Sequence, residues 1–275
     1  MKKNKRLTIT LILAVIIIFV GIYIFAISGE KLDERETLWL FEIPIAHRGF
    51  DNGDIPENSM EAFQNAIDRG YGIELDVQLT KDNEVIVFHD TNLKRLTGDD
   101  RDVKDITYEE LKSLNLENTK EKIPTLREVI ELVNNQVPLI VEIKEVEDII
   151  SVTEKTYNVM KDYKGRYAIQ SFNPFALEWL KNNAGDVIRG QISGNFKDYG
   201  EGLKFYEKYL LKNLLLNFKS RPNFIAYELE GNNNISLKVL HSKGYPSLAW
   251  NVKSEDDMEK AYESFDNIIF DNTLP

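Results

Sequence analysis

The 275-residue chain has only three histidines. Two of them lie in short β-branched runs, Ile45-Ala46-His47-Arg48-Gly49 and Val85-Ile86-Val87-Phe88-His89-Asp90. Between these runs comes Gly72-Ile73-Glu74-Leu75-Asp76-Val77-Gln78. Residues two apart on a strand share a face, so Glu74 and Asp76 point one way and Leu75 the other. Two carboxylates inside an otherwise apolar strand are costly to bury unless a cation meets them. Glu142 and Lys144 repeat this spacing at the end of Leu139–Ile143. Three carboxylates from two strands suit a hard divalent cation, Ca²⁺ or Mg²⁺. Arg48 and Lys144 add positive charge beside it, a combination suited to a phosphate ester. His47 and His89 then supply a general acid and a general base. Taken singly, each histidine reads as a satisfied structural residue and Glu74 with Asp76 as a solvated strand face. Their apolar flanks and their company favour chemistry.

The elements that must position these residues alternate. The first strand is expected at Ile43–Ala46 and a helix, capped by Asn58 or Ser59, runs to about Arg69 with Gly70 after its end. The second strand is Ile73–Gln78. Lys81-Asp82-Asn83-Glu84 reads as a turn, so Val85–His89 returns as a hairpin arm. Residues 91–120 are polar and irregular, with a short helix at Tyr108–Leu114. Six helix-then-strand units follow, with strands at Leu139–Ile143, Tyr167–Ser171, Val187–Ile192, Phe224–Glu228, Ser247–Val252 and Asn267–Asp271. With about 80–120 as an insertion after strand two, eight parallel strands remain, the pattern of a (β/α)₈ TIM barrel. A doubly wound sheet is the alternative, weakened because no glycine-rich phosphate loop follows strand one. In a barrel, His47, Glu74, Asp76, Glu142, Gln170 and Trp250 all fall at or near the functional, C-terminal strand ends.

Composition narrows the class. The net charge is −11, and Lys2, Lys3, Lys5 and Arg6 supply four positive charges, leaving −15 for the rest. No basic domain remains to bind nucleic acid. The absence of cysteine excludes a disulfide scaffold, a zinc–thiolate site and a cysteine nucleophile. Leu7–Ile27 carries no charge and, as a helix of roughly 30 Å, matches a bilayer core. The basic residues before it place the N-terminus in the cytoplasm. The chain is therefore read as a cytoplasmic tail 1–6, a transmembrane anchor 7–27, a tether 28–42 and an extracytoplasmic domain 43–275. A cleaved signal peptide is the alternative, and Ala26-Ile27-Ser28-Gly29 fits a cleavage site weakly. The tether is expected to pack on the domain and to cover the position for which no eighth outer helix is available. The stretch 202–218 is expected as one long outer helix. Its Lys204, Lys208 and Lys212 form a solvated face, or, alternatively, an interfacial one touching anionic lipid.

Read together, the motifs His47-Arg48-Gly49, Pro56-Glu57-Asn58-Ser59, Glu74-Leu75-Asp76-Val77, His89-Asp90, Ile123-Pro124-Thr125-Leu126, Glu142-Ile143-Lys144, Ser171-Phe172-Asn173 and Trp250 resemble the glycerophosphodiester phosphodiesterase family. They stand in the family's order and span about 44–275. The resemblance implies a barrel with a small insertion after strand two. It also implies hydrolysis of glycerophosphodiesters to an alcohol and sn-glycerol 3-phosphate. It assigns metal ligation to Glu74, Asp76 and Glu142, acid–base roles to His47 and His89, and phosphate contacts to Arg48 and Lys144. Glu57 and Asn58 are balanced between helix cap and site wall, and Trp250 between core and a wall for the glycerol or headgroup. Asp271-Asn272-Thr273 departs from the family's acidic-aromatic-proline ending. Expected substrates are deacylated phospholipid headgroups, lysophospholipids or glycerophosphate-containing wall polymers. The rival readings are a lyase-type, phospholipase D-like enzyme that stops at a cyclic phosphate and a catalytically silent, membrane-anchored binding module.

Overall fold

The computed structural model describes residues 2–271 except 52, 145, 198, 199 and 201, with side chains from residue 6 onward. The Asn272-Thr273 ending lies outside the described residues. Strands β1 (Ile45–Ala46), β2 (Gly72–Leu79), β3 (Val85–Val87), β4 (Leu139–Ile143), β5 (Tyr167–Ser171), β6 (Ile188–Ser193), β7 (Phe224–Glu228), β8 (Ser247–Val252) and β9 (Asn267–Phe270) form one sheet. All but β3 pair in parallel, and β1 joins both β9 and β2, which closes an eight-stranded barrel. β3 turns back antiparallel on β2, as the turn at 81–84 predicts. The first strand is shorter than expected, because 39–42 is helical and Pro44 separates that turn from β1.

The alternation of side chains builds two cores. Outward-facing Ile73, Leu75, Val77, Val141, Ile143 and Ile225 pack against the surrounding helices. Inward-facing Ile45, Ile140, Ala168, Phe224, Leu248 and Ile269 fill the lower half of the barrel. Trp39 and Leu40 join that inner cluster, both buried. Asn267 Nδ2 secures them by donating to the carbonyls of Leu40 and Ile43 at 2.9 and 2.7 Å. The tether therefore plugs the bottom of the barrel and does not stand in for an outer helix. Gly190 also faces inward, where a Cβ would strike the Phe224 ring at 2.1 Å. The insertion has its own small core, including Ile86, Phe88, Leu96, Val103, Leu111 and Ile123.

The long helix expected over 202–218 is two helices, Phe205–Lys212 and Asn217–Ser220. Tyr227 Oη and Asn234 Nδ2 both donate to the Lys212 carbonyl, which caps the first helix there. Leu214 then adopts a φ of 57° and turns into the outer core. The N-terminal helix runs over Lys2–Ile27, and its span Arg6–Ile27 is long and apolar enough to cross a membrane.

Candidate active site

β2 and β4 set the centre of the site. Their register puts Asp76 beside Glu142, and β4 with β5 puts Glu142 beside Gln170. With Glu74 one inward position lower on β2, three buried carboxylates bring oxygens within 4.8 Å of one another. Burial pushes Glu74 well above the ordinary carboxylate range, and the charges of Asp76 and Glu142 add to this. Burial acts the same way on Asp76, but Lys144 and Arg48 outweigh it and hold Asp76 below the usual range. Lys144 Nζ lies 2.8 Å from Glu142 Oε1 and 3.3 Å from Asp76 Oδ1. Arg48 Nε lies 3.3 Å from Asp76 Oδ2. Burial disfavours both cations, yet the carboxylates keep each more firmly protonated than usual.

The donor set fits a hard cation. Asp76 Oδ1 and the neighbouring Gln170 Oε1 are buried oxygens without a hydrogen-bond partner. Both belong to the oxygen class that such ions prefer. Asn58 holds the other oxygen of Asp76, donating from Nδ2 to Oδ2 at 2.9 Å. The helix cap is Ser59, whose hydroxyl accepts from the Ala62 amide. Asn58 is thus a positioning residue and not a cap. Gly49 makes the preceding turn possible: its φ is 84°, and a Cβ would come within 2.8 Å of the Ala62 backbone.

The two histidines face the pocket that Glu74, Glu142 and Lys144 line. His47 Nδ1 lies 2.5 Å from Asp271 Oδ1. Burial raises the Asp271 carboxyl, but His47 lowers it further, so it is ionised and only accepts. The Nδ1 proton therefore points to Asp271 and Nε2 faces the pocket, 3.9 Å from Glu74 Oε2. Asn251 Nδ2 braces the pair by donating to Asp271 Oδ2 at 3.2 Å. His89 Nδ1 lies 2.7 Å from Asp90 Oδ1. Burial pushes His89 below its ordinary value despite Asp76, which keeps the ring neutral at pH 7. Gln78 fixes the loop that carries it, its Nε2 donating to the carbonyls of Phe88, His89 and Asp90 at 2.7–3.0 Å.

Glu57 is tied to two guanidiniums, Arg48 at 2.8 Å and Arg95 at 2.6 Å. Arg95 also reaches Asp90 at 2.6 Å. Glu57 thus anchors Arg48 and links the His47 loop to the His89 loop. Trp250 lines the pocket edge-to-face with Phe172, centroids 5.5 Å apart, and its Nε1 donates to the Ser193 carbonyl. His241 sits at the end of its helix, 3.4 Å from Asp266 and away from this pocket. The sequence offered Asn58 as a helix cap or site wall, and gave no role to Asp271, Gln78 or Arg95. The signal for these three was their polarity in or beside the quoted stretches.

Comparison with known proteins agrees with this geometry. Residues 47–273 match the model of the glycerophosphoryl diester phosphodiesterase family. A glycerophosphodiester phosphodiesterase of Caldanaerobacter subterraneus is 34% identical over 244 residues, covering 83% of this chain and 93% of that protein. The structure of a glycerophosphodiester phosphodiesterase from Thermotoga maritima superposes with a TM-score of 0.65 at 28% identity, covering 83% of this chain and 94% of that one. An Oleispira antarctica phosphodiesterase, solved with its product sn-glycerol 3-phosphate, shares the fold with a TM-score of 0.72 at 24% identity, covering 86% and 95% of the two chains. The (β/α)₈ barrel, the buried carboxylate cluster between two histidines and the near-complete match to the family's model agree, and the chain belongs to the glycerophosphoryl diester phosphodiesterase family.

Proposed function

We propose that this site hydrolyses glycerophosphodiesters to an alcohol and sn-glycerol 3-phosphate, with His47 as general acid and His89 as general base. The observation that carries the reading is one pocket holding three buried carboxylates, two cations and two histidines, each histidine oriented by its own carboxylate. Glu74, Asp76 and Glu142 would hold a divalent ion, Ca²⁺ or Mg²⁺, which would supply charge neutralisation at the phosphate. Arg48 and Lys144 neutralise the same phosphate from the protein side. Neutral His89 takes the proton of the attacking oxygen at Nε2. His47, held by Asp271 with Nε2 toward the pocket, gives a proton from Nε2 to the leaving alkoxide. Glu57 places Arg48, and Trp250 with Phe172 walls the glycerol or headgroup.

The attacking oxygen is water or the glycerol 2-hydroxyl. A diester lacking that hydroxyl separates the two: full turnover demonstrates water attack, and loss of turnover demonstrates a cyclic phosphate intermediate. Free glycerol 3-phosphate as final product rejects the lyase reading.

The apolar N-terminal helix is proposed as a retained, single-pass anchor with the barrel outside the cytoplasm. Its last turn supports retention, because Ile27 is fully buried in the domain core and cleavage after it would strip that contact. N-terminal sequencing of membrane-extracted protein tests this. An intact Leu7–Ile27 segment is expected, and a mature chain beginning near Ser28 contradicts it.

A further inference from the structure

The direction in which the anchor leaves the barrel is fixed by its contacts. Glu30 NH donates to the Pro222 carbonyl, and Arg189 Nη2, buried at the bottom, reaches Glu30 Oε2. Gly29 meets Pro222 and Tyr245, which precede β7 and β8. Further up, Asn217 Nδ2 donates to the Ile27 carbonyl. Further still, Tyr23 Oη is 2.8 Å from Ser236 Oγ, in the first turn of helix Ile235–Ser242. That helix follows β7, so its start marks the C-terminal, site-bearing face of the barrel. The N-terminal helix therefore climbs the barrel wall from bottom to top as residue number falls. Residues 6–22, about 25 Å of helix, project beyond the face that carries the pocket.

The same face carries a second feature. Helix Phe205–Lys212 buries no residue. Its end is held at the top of β6 and β7, where Ser193 Oγ donates to the Leu211 carbonyl and Tyr227 Oη to that of Lys212. Phe205 is 86% exposed, Tyr206 54% and Tyr209 55%, and the three share one helical arc. Lys204, Lys208 and Lys212 follow at intervals of four along the adjoining arc. Nearby on this face, Ile235 is 72% exposed at the start of its helix. An aromatic arc bordered by lysines is the composition of a helix lying in a headgroup layer.

Resting on the reading of Arg6–Ile27 as an anchor, we infer that the pocket-bearing face of the barrel lies against the bilayer that holds the anchor, with Phe205, Tyr206 and Tyr209 in its interfacial layer and the lysines on anionic headgroups. The site then takes glycerophosphodiesters presented at the membrane surface. The partner is the lipid surface itself, reached without any hinge because the anchor's last turn is packed into the domain.

The chain's lack of cysteine makes the test clean. Full-length protein is reconstituted in phosphatidylcholine–phosphatidylglycerol vesicles as three variants, Leu13→Cys, Phe205→Cys and Leu38→Cys, each labelled with an environment-sensitive fluorophore. Leu38 is exposed at the bottom of the barrel. Quenching is read from lipids carrying a doxyl group at C5 or C12. The expected result is quenching of Leu13→Cys by the C12 lipid, of Phe205→Cys by the C5 lipid, and none of Leu38→Cys. Such shallow quenching corresponds to burial of about 5–10 Å. Quenching at position 13 with none at 205, or quenching at 38, overturns the inference and leaves the anchor reading intact. No quenching at position 13 overturns the anchor reading and the inference with it.

Discussion

At the scale of single residues, the site works because each histidine is held by a carboxylate, next in sequence for His89 and far away for His47. His47 and His89 were legible from type and rarity. Asp271 was not, because 224 positions separate it from the imidazole it orients. Alanine at His47 or His89 is expected to lower kcat by about 10²–10⁴-fold with the fold intact, measured as glycerol 3-phosphate release. Asp271→Asn should lower kcat by about 10–100-fold, the usual cost of losing an orienting partner, with KM little changed. Neutral His89 predicts that the acidic limb of kcat/KM lies below the ordinary imidazole value of about 6.5. A limb above that value removes His89 from the base role.

At the scale of elements, the barrel strands were readable because inward and outward faces alternate, and strands β4, β5, β7 and β8 lie where the apolar runs place them. The break at Leu214 was not readable. It depends on two side chains from β7 and its following loop, which take the Lys212 carbonyl. The role of the tether as a plug was equally hidden, since Trp39 and Leu40 look like one side of a surface helix until the barrel opens beneath them. Leu40→Ala should destabilise the protein by about 2–5 kcal/mol in denaturant unfolding while sparing the kcat of the folded enzyme. The rim pairs Glu57–Arg95–Asp90 join two loops. Burial raises both carboxyls, but the guanidiniums leave each below its ordinary value. Their contribution is therefore present above the unfolded values, about pH 4 to 4.5, and lost as pH falls through the lower folded ones. Arg95→Met should flatten the dependence of stability on pH in that acid window. An unchanged acid unfolding curve would show that the pairs contribute nothing.

At the scale of the whole molecule, the barrel joins a buried anionic cluster to a chain of net charge −11. Glu74 is held above its ordinary value, so in the metal-free protein it opposes folding increasingly as pH rises past that value. A divalent cation bound there would remove that opposition. Ca²⁺ or Mg²⁺ at about 100 times Kd should stabilise the protein by about 2.7 kcal/mol at pH 7, and less at pH 5, where protons compete for the same oxygens. Glu74→Gln should abolish most of that metal-dependent rise in Tm. Metal dependence of the reaction is read from release of glycerol 3-phosphate from glycerophosphocholine by the purified 275-residue chain, with Ca²⁺, Mg²⁺ or EDTA. Release is expected to need a divalent cation, to stop in EDTA and to return on adding the metal back. Release that persists undiminished in EDTA, or no release by a folded, metal-loaded protein, would contradict that expectation.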